Sequence, residues 1–268
     1  MLDIIERFRL LASRLKLRTR VVRDEALDAA LNEVGVRDLS LLLVHSSLSS
    51  CGYIKKGARK LLQQFEFRCE TLCLPTHTYC YTLPDGSTPI FDPQETGSLV
   101  GAVSDCFWRD EGVCRSLHPS HSIAAKGEGA EAICTGHELA ETPCGERTPY
   151  EFLIQNSASV LMFGCTLNTY TLFHTTEALM TCDYLYYPEP VVMRFIGPQG
   201  VTSTQMKRQD MRVPRRFAEM EDELLKMGLL RRVNLGKGKL LFIPNSKDVH
   251  NYLKGRISES PRYLVANL

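Results

Sequence analysis

Near the middle of the chain, TLFHTTEAL (Thr171 to Leu179) sets His174 three residues before Glu177 inside an apolar, hydroxyl-bearing run. In a helix starting near Thr171 the two share a face, and the carboxylate can stand beside the imidazole. An imidazole, whose ordinary pKa is about 6.5, is then placed to take a proton near neutral pH as a general base. The competing reading is a helix-start histidine that only caps or packs. A second segment, HSSLSSCGYIKKGA (His45 to Ala58), sets serines, glycines and lysines directly ahead of a helical pattern. Hydroxyls, backbone amides and a helix N-terminus together suit phosphate oxygens. The Walker spacing is absent, and an ordinary serine-rich turn is the alternative. His118 and His121 in H-P-S-H, and Cys69 with Cys73, approach metal-ligand spacing, but no further ligand pair answers either, so no metal is expected.

These residues need elements to hold them. LSLLLVHSSL (Leu39 to Leu48) starts as an apolar run and breaks into hydroxyls, which reads as a buried strand releasing a polar loop. The pattern recurs in ETLCLPTHTY (Glu70 to Tyr79), stopping at Pro75, and in SASVLMFGCTLNTY (Ser157 to Tyr170), stopping at Gly164. Helical stretches separate the three: Asp24 to Val34 precedes the first strand, and Gly57 to Phe65 follows it. An earlier amphipathic helix spans Leu2 to Leu15. A mixed α/β sheet is the expected class, with ligands gathering beyond the carboxyl ends of its strands. After Pro188 the character changes to two hairpins, turning at Gly197 to Gly200 and Gly236 to Gly238, around a helix ended by Gly228. We read residues 1–268 as one domain, with an α/β body over about 1–187 and a β-hairpin and helix decoration over about 188–268.

Composition narrows the function. The 268 residues are 44% hydrophobic, enough for a substantial core. Lys and Arg number 32 against 31 Asp and Glu, which argues against a nucleic-acid binder. Asp3, Glu6, Arg7 and Arg9 interrupt the apolar N-terminal residues, so neither a signal peptide nor a membrane partner is expected and the chain reads as cytoplasmic. Its ten cysteines are then expected to remain thiols.

The succession HSSLSSCGYI, LPTHT, FDP, VGAVSDCFWR, RSLHPSHSIAAKG, TPCGERTPYEFL and VLMFGCTLNTYTLFHTTEAL resembles the aminoglycoside 3-N-acetyltransferase family, in the same order and with comparable gaps. The resemblance covers roughly residues 25 to 182 closely. It implies an acetyl-coenzyme A dependent N-acetyltransferase with a three-layer α/β/α sandwich, to which the hairpin region adds a β-rich C-terminal part. It assigns Ser46, Ser47 and Ser49 to the coenzyme A site, with Gly52 and Gly57 allowing close approach, Thr76 near the thioester and Arg115 as a cation for a phosphate. His174 with Glu177 maps onto the essential histidine motif, and Asp210 is the expected acidic partner of His174, with Arg208 standing where relatives carry a further acid. Thr76 or nearby amides would meet the developing oxyanion. Direct transfer in a ternary complex is expected; a Cys165 nucleophile is the rival mechanism.

An aminoglycoside is a polycation and calls for carboxylates, which Asp85, Asp92 and Glu146 could supply. The basic clusters after Arg194 fit an amino sugar linked to phosphate or nucleotide, as in surface glycan assembly, at least as well. A coenzyme-binding relative without catalysis is the third reading. The expected partners are a small-molecule amine and, for self-association, a second copy in a homodimer.

Overall fold

The computed structural model describes residues 21–81 and 86–266. The helix expected over Leu2 to Leu15, and Asp85, lie outside the described residues. The strands are β1 (Val21–Val22), β2 (Leu39–Ser46), β3 (Tyr53–Ile54), β4 (Cys69–Pro75), β5 (Ile90–Phe91), β6 (Cys114–Arg115), β7 (Ile123–Gly127), β8 (Ser159–Phe163), β9 (Val191–Gly197), β10 (Gly200–Met206), β11 (Arg231–Leu235) and β12 (Gly238–Ile243). The helices are α1 (Asp24–Val34), α2 (Gly57–Glu66), α3 (Ala102–Phe107), α4 (Ala130–Cys134), α5 (Pro149–Gln155), α6 (Leu172–Leu179), α7 (Met220–Lys226) and α8 (Ser246–Glu259).

Seven strands form the central sheet in the order β11-β12-β8-β2-β4-β7-β6. Successive side chains of a strand face opposite ways, so a run buried on both sides is apolar throughout. In β2, Leu41 and Leu43 enter one core while Leu42 and Val44 enter the other. The first core receives α4, α5, α6, α7 and α8; the second receives α1, α2 and α3. The result is a three-layer α/β/α sandwich.

β2 runs parallel to β4 and to β8, so the carboxyl ends of all three open on one edge of the sheet. β7 is antiparallel to β4, with Ile123 opposite Pro75, so the segment leading into β7 reaches the same edge. Four loops therefore meet there, in the place where sheets of this kind bind ligands.

The last hairpin differs from the decoration expected of it. β12 pairs with β8, Leu240 opposite Phe163, and so belongs to the central sheet. Leu240, Leu241, Phe242 and Ile243 are all buried and divide between the two cores, which is why the segment cannot sit outside the body. β9 and β10 pair across the expected turn and, with β5, make a separate three-stranded sheet.

Candidate active site

After β8 the chain turns at Gly164, whose φ of +68° favours glycine, and enters α6. Leu172 and Phe173 anchor that helix in the core beneath the strand edge. Three residues apart on α6, His174 Nδ1 and Glu177 Oε2 lie 2.7 Å from each other. The side chain of Glu177 is 0% exposed and that of His174 is 16% exposed. The other oxygen of Glu177 accepts from Arg215 Nε at 3.1 Å. Arg215 is itself buried and donates to the carbonyls of Asp210, at 3.0 Å, and Val213. An ionised carboxylate only accepts, so Nδ1 carries the imidazole hydrogen and the lone pair sits on Nε2. Phe217 supports the ring at 5.0 Å.

His174 lines a cavity of about 380 Å³ at the carboxyl edge of the sheet, together with His45, Ser46, His77, Tyr81 and Arg208 among others. Part of its lining is a hydrogen-bonded polar layer, while His45 Nε2, Ser46 Oγ and the Tyr170 hydroxyl are buried there with no hydrogen-bond partner among the described residues. Tyr150 donates to the carbonyl of His121 at 3.0 Å, so His77 Nε2, 2.8 Å away, must be the donor to the tyrosine oxygen. Burial pushes His45 and His121 down to about 3 and His77 well below the usual imidazole range. These three rings are neutral at physiological pH.

A second cleft of about 680 Å³ adjoins the first. Ser46, Ser47, Ser49, Gly52 and Gly57 all line it, and Ser46 and Val100 line both cavities. Ser47 and Ser50 are hydrogen-bonded through their hydroxyls at 2.6 Å. The loop is held close by glycines elsewhere in the chain. A Cβ on Gly236 would lie 1.9 Å from the carbonyl oxygen of Cys51, and one on Gly164 would lie 2.9 Å from that of Ser47. The hairpin turn at Gly236 thus shapes the serine loop from across the sheet.

Other sequence-expected residues are placed elsewhere. Thr76 is fully buried, its hydroxyl 2.9 Å from Ser122 Oγ and accepting from Arg115 Nε at 3.2 Å. Arg115 also donates to the carbonyls of Thr96 (2.6 Å), Thr76 (3.1 Å) and Pro93 (3.3 Å). Its guanidinium lies between Trp108 and Phe91, 4.4 Å and 5.0 Å from their centroids. Desolvation lowers its pKa to about 10. The two tie the segment after β4 to the segment before β7, and Arg115 also lines a separate cleft of about 520 Å³ with Trp108 and Arg109. Asp92 Oδ1 accepts from Gln94 N at 2.8 Å in a local turn, and Glu146 is exposed; neither lines the cavity. The carboxylate of Asp210, expected on His174, is taken by Arg212 at 2.6 Å and 2.9 Å, which holds its carboxyl down at about 2. Glu177 fills the place assigned to Asp210.

Cys165 lines the His174 cavity, but burial pushes its thiol up to about 11. All ten cysteines are free. Among the described residues no group of His, Cys, Asp or Glu is placed to hold a metal ion, and no helix is long and apolar enough to cross a membrane. The role of Arg215 is not legible in the sequence. A buried arginine in V-P-R-R-F looks like surface charge until its distant partner is known.

Residues 43–254 match the family model of the aminoglycoside 3-N-acetyltransferases, and the chain belongs to that family. It is 30% identical over 176 residues to aminoglycoside N(3)-acetyltransferase III of Salmonella sp, a match covering 58% of this chain and 60% of that relative. The aligned part thus spans less than two thirds of the relative's length. Among solved structures, AAC-IIIb in its binary complex with CoASH superposes with a TM-score of 0.76 at 21% identity, covering 89% of this chain and 97% of the other. A mutant of AAC(3)-IVa in complex with apramycin superposes with a TM-score of 0.73 at 24% identity, covering 90% and 94%. At these identities the likeness establishes a shared fold.

Proposed function

We propose that this chain is an acetyl-CoA-dependent N-acetyltransferase in which His174 is the general base. The observation that carries the reading is the junction: the serine-lined cleft and the His174 cavity share Ser46 and Val100. Acetyl-CoA in the first and an amine in the second bring thioester and nitrogen together there. Nε2 of His174 takes the proton as the amine nitrogen bonds to the acetyl carbon; the carbon–sulfur bond breaks, and the imidazolium returns the proton to the departing thiolate. Glu177 holds the tautomer and offsets the charge that the ring gains, while Arg215 fixes Glu177. A thiol whose pKa is about 11 is a poor nucleophile, which favours direct transfer over an acetylated Cys165.

The family and its named relatives point to an aminoglycoside amine as acceptor, at the 3-amino group. A second acceptor class, an amino sugar bearing phosphate or nucleotide, is favoured by a cavity wall that has Arg208 and, among the described residues, no carboxylate. The test is thiol release from acetyl-CoA over a panel of aminoglycosides, simple amino sugars and their phosphates. Amine-dependent release is expected. Tight coenzyme binding with no release from any amine would identify a family member without catalysis.

A further inference from the structure

What the acceptor carries besides its amine is left open by acetyl transfer, and the rest of the cavity wall around His174 bears on it. None of the described residues lining the cavity is Asp or Glu, and the permanent cation among them is Arg208. The backbone there is pinned, since Tyr187 N donates to Arg208 O at 2.9 Å and Tyr186 bridges to Gln209. The guanidinium is held between two rings, 4.7 Å from the centroid of Tyr81 and 5.4 Å from that of Tyr187. Its neighbours differ in one respect. Arg212, over the same Tyr187 at 4.6 Å, is neutralised by Asp210, and Arg215 by Glu177. Arg208 makes no ion pair among the described residues. Ring stacking orients a guanidinium without neutralising it, so its forked donors stay available to an oxyanion. The histidines that share the wall are neutral and supply no competing charge. A polycation entering here meets a like charge with no carboxylate from the described wall to offset it; an anion meets a preoriented partner.

We propose that Arg208 is a specificity determinant that binds an anionic group, phosphate or carboxylate, carried on the acceptor amine. The acceptor class that follows is an amino sugar with an acidic substituent. The inference rests on the acetyl-transfer reading for the word acceptor, but its test does not need turnover. Calorimetric titration of the protein with glucosamine, glucosamine 6-phosphate, glucosaminuronic acid and kanamycin is compared between the unaltered chain and Arg208→Ala, Arg208→Lys and Arg208→Glu. The expected result is tighter binding of an acidic sugar than of glucosamine or kanamycin, lost about 10- to 100-fold in Arg208→Ala, partly kept by Arg208→Lys and inverted toward kanamycin by Arg208→Glu. The phosphate and carboxylate arms identify which oxyanion is read. Tighter binding of kanamycin by the unaltered chain, or acidic-sugar affinity unchanged in Arg208→Ala by a protein whose thermal unfolding is also unchanged, overturns the proposal. Arg208-dependent anion binding without acetyl transfer would keep the inference and remove the transferase reading.

Discussion

Two arginines stand at the same edge of the sheet and do different things. Arg215 meets one carboxylate, Glu177, whose second oxygen holds His174; the chain of contacts ends at an imidazole nitrogen left for a cavity. Arg115 meets hydroxyls and carbonyls, Thr76 and Ser122 among them, and there the chain of contacts closes on itself. Both are polar networks under a loop, and both are rich in side chains that catalysis uses. A network becomes a candidate for chemistry when one of its atoms is left over and faces a space that a substrate can enter. A closed network of similar composition supplies stability, because each buried donor in it already has its acceptor.

That contrast can be broken most forcefully at Glu177. Glu177→Gln leaves Arg215 buried without a counterion, and a loss of about 3–5 kcal/mol in denaturant unfolding is expected. The amide can also donate toward His174 Nδ1 and disfavour the reactive tautomer, so acetyl transfer per folded molecule should fall about a hundredfold or more. Full activity in a stable variant would contradict the role given to this carboxylate. The buried histidines give the next effect. His45, His121 and His137 are pushed down to about 3 by burial, against about 6.5 for the unfolded chain. Below pH 6.5 the unfolded chain binds protons that the folded chain refuses, so stability falls as pH falls through that window, by about 1.4 kcal/mol per pH unit for each ring. Urea midpoints at pH 7.5 and 5.5 measure this; equal midpoints would refute it. At the closed network, Thr76→Val leaves Arg115 and Ser122 short of a partner and should cost about 1–3 kcal/mol of stability, with turnover per folded molecule kept within a few-fold. A large drop in turnover at unchanged stability would return Thr76 to the reacting centre. The smallest effect is expected for Asp210→Asn, since its partner Arg212 is largely exposed: steady-state rates should stay within a few-fold.

Much of the first region was legible because its signals are local. A histidine and a glutamate three apart share a helix face whatever surrounds them. The serine loop announces itself by following an apolar strand and preceding a helix. The way Thr76 and Arg115 meet is not legible in the sequence, because it depends on β4 pairing antiparallel with β7, a contact between distant segments. The placement of Asp92 and Glu146 is hidden for a related reason, since an acid-rich stretch does not say which side chains turn inward. Asp210 could have been placed: Arg212, two residues away, is a nearer partner than any helix elsewhere. The β12 hairpin reads as decoration because Gly236 looks like a plain turn, while its fit against the Cys51 carbonyl needs the whole sheet.

The most direct measurement sets His174→Ala beside Cys165→Ala, with amine-dependent thiol release from acetyl-CoA and coenzyme affinity determined for both. The account predicts that His174→Ala loses about 10²- to 10⁴-fold in turnover with coenzyme affinity unchanged, and that Cys165→Ala stays within a few-fold of the unaltered chain. Near-normal turnover by His174→Ala, or abolished turnover in a folded Cys165→Ala, would contradict it.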